Sequence, residues 1–371
     1  MSNELQVLIF SYKHLFQELS KEDFLRLISK VNLERVHKIA SANAVRLILY
    51  SALKSIDHPT SEQLQQFASV QAIKDALLGA EIRRLYSELI SKNIECIPYK
   101  GILFTEKLYQ GKHFRECSDM DLVIRKNTAV NAAIEVLNQN GYKLEDYGAK
   151  VDLLELAPVH EVSLYKKGAI IFPIDLHWGI KEDFHVYNLE ITDLFSNTAE
   201  SDAFDPKPEI LFKMILNHHG ARGCWLRLKE VFDFVRFVQL YPEQSSNMEV
   251  LAKKLGMNKV LEVGLELSNF ILKGGEGKLS PLARRIVAFW ELEESYDANF
   301  KWKMKKWFIY LSLQDPQHSK LKLIYRYIIY HGKDTPFYEQ YPKPFGGKFP
   351  LLNSLVKFIV IGLRSLKGKY K

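Results

Sequence analysis

Two hydrophobic periods divide the chain. Over the first ninety residues apolar positions recur at helical spacing. "SKED" at 20–23 is an S-x-x-D capping signal ahead of Phe24, Leu27 and Ile28. "TSEQ" at 60–63 marks another T-x-x-Q start just after Pro59. Leu78, Ile82, Leu85 and Leu89 then lie on one stripe of a helix over 76–92. At 93 the pattern changes. Ile94 to Tyr99 in "NIECIPYKG" reads as a short strand ending on Lys100-Gly101, followed by a helix with Leu103, Lys107 and Leu108 in register. "SDMDLVI" reads as a strand. "NTAVNAAIEVLNQNGY" reads as a helix capped by Asn127 or Thr128, striped by Val130, Ile134 and Leu137, with Gly141 at C′. "VHEVSLYKKGAIIFPIDLHW" alternates as a β-hairpin turning at Lys167-Gly168. After 205 the helical period returns. "PKPEILFKMILNHHG" starts on prolines and ends at Gly220, and "WLRLKEVFDFVRFVQL" runs on Leu228, Val231, Phe232, Val235 and Val238 until Pro242. Helical patterning continues past 250 to the proline- and glycine-rich "YPKPFGGKFP" at 341–350. The expected organisation is an N-terminal helical region (1–92), a small α/β core (93–180) and a C-terminal helical domain with a basic tail (181–371).

Composition changes this picture little. Of 371 residues, 47% are hydrophobic and 26% charged, as in an ordinary globular protein. The three cysteines, Cys96, Cys117 and Cys224, form no CxxC pair, which favours a reducing cytoplasm. The N-terminus has no basic n-region or cleavage site, so no signal peptide is expected. The longest apolar run, "FIVIGL", is far short of the ~18 residues of a spanning helix. Net charge is +7, much of it in "KWKMKKW" (301–307) and "LRSLKGKYK" (363–371). Such runs are usually solvated faces; an anionic partner (polyphosphate, nucleic acid or a membrane surface touched peripherally) is the rival reading.

The chemistry concentrates in "RECSDMDLVIRK" (115–126). Residues i and i+2 of a strand share a face, so Asp119 and Asp121 point together while Met120, Leu122 and Ile124 pack behind. Like charges that close repel unless a cation or proton intervenes, and Mg²⁺ takes carboxylate oxygens while leaving room for phosphates. A D-x-D at a solvent edge is cheap and alone says little. Three neighbours add weight. Asp175 in "IIFPIDLHW" stands on an apolar strand and supplies a third carboxylate. Lys100-Gly101 sits at a strand-to-helix junction where helix N–H groups bind phosphate. Arg115 lies just ahead of the aspartates, suited to a bidentate phosphate clamp.

Strand, glycine turn, helix, D-x-D strand and a later strand with one Asp resemble the nucleotidyltransferase fold of the DNA polymerase beta superfamily. More narrowly, the chain resembles the family of uncharacterised nucleotidyltransferases. The residues that carry this are Lys100-Gly101, Arg115, Asp119-Met120-Asp121-Leu122, Gly141-Tyr142 and Asp175-Leu176-His177. Downstream, His218 or His219, Trp225, Arg227, Leu228 and Asp233 fit the family's H…W-x-R-L…D segment. The likeness spans roughly 30–335 and is most specific between 97 and 178. One departure is that the superfamily's turn is a hydrophobic residue, Gly, then Gly or Ser. Either Gly101 is the first glycine and Ile102 replaces the small residue, or Gly101 is the second and Lys100 replaces the first.

The resemblance implies an α+β fold: a small polymerase-beta-like sheet flanked by N- and C-terminal helices. It implies transfer of a nucleoside monophosphate from an NTP to an acceptor, with release of pyrophosphate. Asp119, Asp121 and Asp175 would be catalytic and would hold Mg²⁺ (or Mn²⁺). Lys100, Gly101, Arg115, Ser118 and His177 would bind the nucleotide. The acceptor stays open among a small molecule, sugar, peptide or protein, with peptide or carbohydrate biosynthesis as the natural setting. A non-catalytic nucleotide- or partner-binding module is the alternative, and nucleic-acid end modification the third reading. Other residues have plainer readings. His218-His219 caps a helix C-terminus, Trp225 packs in the core, and Asp233 pairs on a helix surface with Lys229 and Arg236. His177 stands between site residue and core-edge histidine, and Cys117 has no base beside it. The aromatic residues of 290–340 read as core. No zinc spacing, Rossmann glycines, Walker A loop or G-x-S-x-G elbow is present.

Overall fold

The computed structural model describes residues 1–144, 160–181, 185–195, 203–294, 300–316 and 320–332. The "YPKPFGGKFP" segment, "FIVIGL" and the basic tail at 363–371 lie outside the described residues.

Four short helices come first: α1 (Asn3–Phe16), α2 (Lys21–Ile28), α3 (Leu33–Ala42) and α4 (Arg46–Ser55). Ser20 caps α2 as expected, its hydroxyl accepting from Asp23 N at 3.1 Å. The next helix, α5, runs unbroken over Glu62–Ser91, and its cap is Ser61 rather than Thr60. Leu78, Ile82, Leu85 and Leu89 are all buried on it, each contributing about 1.5–3 kcal/mol of apolar burial.

The α/β unit comprises β1 (Cys96–Pro98), α6 (Gly101–Tyr109), β2 (Met120–Ile124), α7 (Val130–Gln139), β3 (Lys143–Leu144), β4 (Glu161–Lys167) and β5 (Ile171–His177). A 3₁₀ turn over Asn127–Ala129 leads into α7, so neither Asn127 nor Thr128 is its cap; Gly141 follows at φ +84° as the C′ pattern requires. The strands form one sheet in the order β1-β2-β5-β4-β3. The β2–β5 pair is parallel and the others antiparallel, with the β4–β5 hairpin closing where the sequence places it. Met120, Leu122, Ile124, Ile174 and Leu176 turn one face of the sheet onto α5 and α7.

The chain returns through α8 (Pro208–Ile215), α9 (Leu228–Leu240), α10 (Ser245–Leu255), α11 (Asn258–Leu272), α12 (Pro281–Trp290), α13 (Phe300–Ser312) and α14 (Lys320–Gly332). Helices α8 to α13 share one core with α1–α4 and with Ile97, Tyr99 and Val123 of the sheet's second face. Tyr12 of α1, for example, stacks on Phe232 of α9 at 4.4 Å. From Leu78 onward α5 packs in the sheet's core, while its Leu64 and helices α1–α4 join the core of the C-terminal helices, because each buries its apolar stripe against the nearest apolar face.

Gly220 does not end a helix. α8 widens into a π-helical turn over Leu216–Arg222. A Cβ at Gly220 would stand 2.4 Å from Val260 and 2.8 Å from Trp225, so close approach explains this glycine. Trp225 is buried, donating from Nε1 to Val260 O at 3.1 Å, as its packing role requires. The lysines of α13 at 301, 303 and 305 are exposed while Ile309 and Tyr310 are buried, the pattern of a solvated basic face. No helix among the described residues is long and apolar enough to cross a membrane.

Candidate active site

The site is built on the second face of the sheet, beside the turn between β1 and α6. Tyr99 N donates to Asp121 O at 3.0 Å, and the chain then reverses through Lys100 (φ 49°, ψ −143°) and Gly101 (φ +46°). A Cβ on residue 101 would lie 3.2 Å from Asp119 O and 3.3 Å from Asp121 Oδ2. Glycine is required there by both conformation and space. Lys100 also holds a glycine-type backbone, whereas Ile102 is buried in the helix. The backbone thus matches the alignment in which Lys100 takes the first glycine's place.

Register brings the carboxylates together. Asp121 is the direct parallel partner of Asp175, and Ser163 is the antiparallel partner of Asp175. Two residues along, Glu161 partners His177. All five side chains project from the same face. Asp121 is 1% exposed; its Oδ1 lies 2.9 Å from Lys100 Nζ and 3.1 Å from His177 Nε2. Its Oδ2 is buried with no hydrogen-bond partner. Asp175 accepts from Ser163 Oγ at 2.6 Å. Asp121, Asp175 and His177 each offer a ligand atom within 4.8 Å of the others. Asp119 precedes β2, stands outside that group, and accepts from Ser118 Oγ at 3.1 Å. Ser118, Asp119, Ser163, Tyr165, Pro173 and Asp175 line a cleft of about 450 Å³.

Electrostatics separates the two central carboxylates. Burial, and next the Asp121 charge, push the Asp175 carboxyl up to about 6. Burial works the same way on Asp121, but the Lys100 ammonium and His177 outweigh it and hold that carboxyl low. His177 is raised: burial opposes its charge, yet hydrogen bonding to Asp121 and attraction to Glu161 prevail. Glu161 is drawn down to about 2 by His177 and Arg222 against its burial.

The donor set fits a divalent cation. A buried carboxylate oxygen without a donor is costly, and a metal removes that cost. Asp121 and Asp175 are the hard oxygen ligands that Mg²⁺ and Mn²⁺ favour. His177 is 1% exposed, with Nε2 on Asp121 and Nδ1 at 3.2 Å from Glu161 without hydrogen-bond alignment. It is thus enclosed between Asp121 and Glu161, with its Nε2 on the Asp121 carboxylate.

Arg115 does not reach the mouth of the cleft. It is 4% exposed, donates from Nε to Asp233 Oδ2 at 2.8 Å, and from Nη1 to Gly101 O at 3.0 Å. A guanidinium so held supports the turn and is not available to clamp a polyphosphate. Asp233 is likewise no surface pair. It is fully buried and also accepts from His219 Nε2 (2.9 Å) and Tyr109 Oη (2.9 Å). Burial opposes its charge, but Arg115 and His219 hold its carboxyl far below the usual range. His218 and His219 face each other Nδ1 to Nδ1 at 3.0 Å. They are thus part of this network and not a helix cap. Cys117 is buried, its thiol pushed up to about 12, as expected of a cysteine without a base.

Ser163, Glu161 and Arg222 are site residues beyond those the sequence motifs mark. Glu161 was within reach of the alternation in "HEVSLY", which puts it on the Ser163 face. Arg222, at 3.7 Å from Glu161, left no local signal, because the π-helical turn that delivers it is invisible to a 3.6-residue period.

A family model described as "Uncharacterised nucleotidyltransferase" matches residues 29–273. The match takes in the sheet, the π-helical turn and α9 to α11, and stops short of the 335 expected. No curated protein and no solved structure matches the chain.

Proposed function

The chain belongs to the family of uncharacterised nucleotidyltransferases, and from that premise we propose a metal-dependent transfer of a nucleoside monophosphate from an NTP to an acceptor. The observation that carries this reading is the parallel registration of Asp121 with Asp175 beside the Lys100-Gly101 turn, with one Asp121 oxygen bare.

Asp121 and Asp175 would hold Mg²⁺ or Mn²⁺, with Asp119 at the cleft mouth completing the acidic set. A divalent ion held there would supply positive charge to offset that of the polyphosphate and of the departing pyrophosphate. The amide groups that open α6 and the Lys100 ammonium attract the phosphates, and Ser118 lines the cleft beside Asp119. The acceptor's nucleophilic oxygen forms a bond to the α-phosphorus and its proton passes to the Asp175 carboxylate. The α–β bridging P–O bond breaks, and pyrophosphate leaves with the electron pair. Arg115, Asp233 and His177 hold these groups in place and touch no reacting atom.

The acceptor class we propose is a small metabolite, sugar, peptide or protein hydroxyl. Cys96, Cys117 and Cys224 are buried and none forms a disulfide, which supports a reducing cytoplasmic setting. The test is label transfer from α-³²P-NTPs to panels of sugars, peptides, RNA and the protein itself, with pyrophosphate release measured in parallel. Asp121→Asn should lower the rate by about 10² to 10⁴. Nucleotide binding indifferent to Mg²⁺, with no transfer to any panel, would favour a binding module instead.

A further inference from the structure

The Lys100 ammonium stands 2.9 Å from Asp121 Oδ1, and only 16% of the side chain is exposed. It is drawn into the site and not extended to solvent. To sit there the residue holds φ 49° and ψ −143°, a backbone conformation that suits glycine and costs other residues on the order of 1–3 kcal/mol. A turn that needed only to reverse the chain would be better served by glycine. The lysine's contribution is its charge. Asp121 is enclosed by Lys100 and His177 on Oδ1 alone, and Oδ2 stays without a donor. The ammonium therefore balances the carboxylate without satisfying it. A divalent ion would supply more charge and occupy the bare oxygen.

We propose that Lys100 is a tethered stand-in for the divalent cation: it neutralises Asp121 in the metal-free protein, gives way when metal binds, and is then free to engage the nucleotide's phosphates. This rests on the nucleotidyl-transfer reading of the site. Metal and Lys100 compete for one carboxylate, so each weakens the other's hold on it. Metal and nucleotide favour one another, since phosphates that take up the ammonium free Asp121. By linkage the two effects are equal in free energy whichever ligand arrives first.

The test titrates Mn²⁺ alone, by calorimetry, into the EDTA-stripped and dialysed full-length protein. Two variants are compared with the parent. Lys100→Gly removes the ammonium and relieves the turn; Lys100→Met removes it but keeps the stem and the strain. Both should bind Mn²⁺ about tenfold tighter or better than the parent. The factor by which Mn²⁺ raises affinity for a non-hydrolysable NTP analogue should shrink correspondingly in both. If Lys100→Met fails to fold without metal, the Lys100→Gly titration decides, because glycine suits that backbone. Equal or weaker Mn²⁺ binding by the variants overturns the stand-in role and leaves the metal site standing. Absence of Mn²⁺ binding to parent and variants alike, at millimolar metal, overturns both.

Discussion

Asp233→Asn keeps the volume of the side chain and removes one charge from the centre of the buried network. On a helix surface, paired with Lys229 and Arg236, such a change would cost about 0.3–0.5 kcal/mol. The structure calls for much more. Asp233 is fully buried and accepts from Arg115 Nε at 2.8 Å, His219 Nε2 at 2.9 Å and Tyr109 Oη at 2.9 Å. Asparagine leaves Arg115, 4% exposed, without its counter-ion, and sets an amide N–H against groups that are themselves donors. Breaking a buried ion pair from one side costs about 3–5 kcal/mol. Urea denaturation at pH 7 should show that loss as a lower midpoint at unchanged slope. The pH dependence has a definite sign. Asp233 titrates lower folded than unfolded, so its contribution is fully present above the unfolded value of about 3.9 and is lost as pH falls through the folded one. The gap between parent and variant should stay flat from pH 8 to 5 and close only below about 4. A gap under about 1 kcal/mol, or one that already closes near pH 6, would refute a buried, ionised Asp233. Because Arg115 also holds Gly101 O at 3.0 Å, the variant should bind NTP less tightly even where it remains folded.

Three further outcomes follow from the same geometry. In EDTA, Asp175 binds its proton more tightly folded than unfolded, so its contribution favours folding at acid pH and is lost as pH rises from about 4 through about 6. Melting profiles should show that loss in the parent and not in Asp175→Asn; superimposable profiles would contradict the raised carboxyl. Gly101→Ala meets both a positive φ and backbone and carboxylate oxygens at 3.2 and 3.3 Å. It should cost about 1–3 kcal/mol and abolish nucleotide binding, and a variant that melts and binds like the parent would disprove the close approach. Cys117, its thiol pushed up to about 12, should resist iodoacetamide at pH 8 until the protein is unfolded, and rapid native labelling would show the pocket around it to be open.

The elements with strong local periods were legible in the chain itself. The stripe Leu78-Ile82-Leu85-Leu89, the hairpin at Lys167-Gly168 and the alternation that turns Asp121 toward the site all follow from 3.6- and 2-residue repeats. Such repeats depend on backbone geometry alone, so neighbouring residues suffice to read them. Asp121 and Asp175 were legible for a related reason: charge on an apolar strand conflicts with its surroundings and marks itself, whereas Asp119 precedes the strand and does not join them.

Tertiary structure decided the partners. Arg115 and Asp233 are 118 positions apart, and only the packing of α6 against α9 makes them a buried pair instead of a phosphate clamp and a surface acid. Lys100 faces Asp121 because the turn reverses onto β2, and Asp121 faces Asp175 because two distant strands pair in one parallel register. Gly220 looks like a helix terminator until Val260 and Trp225 close on it. In each case the residue's chemistry was visible, but its environment was not. Burial and register are properties of contacts between distant segments, and a side chain's charge state and role follow from which of those contacts excludes water from it.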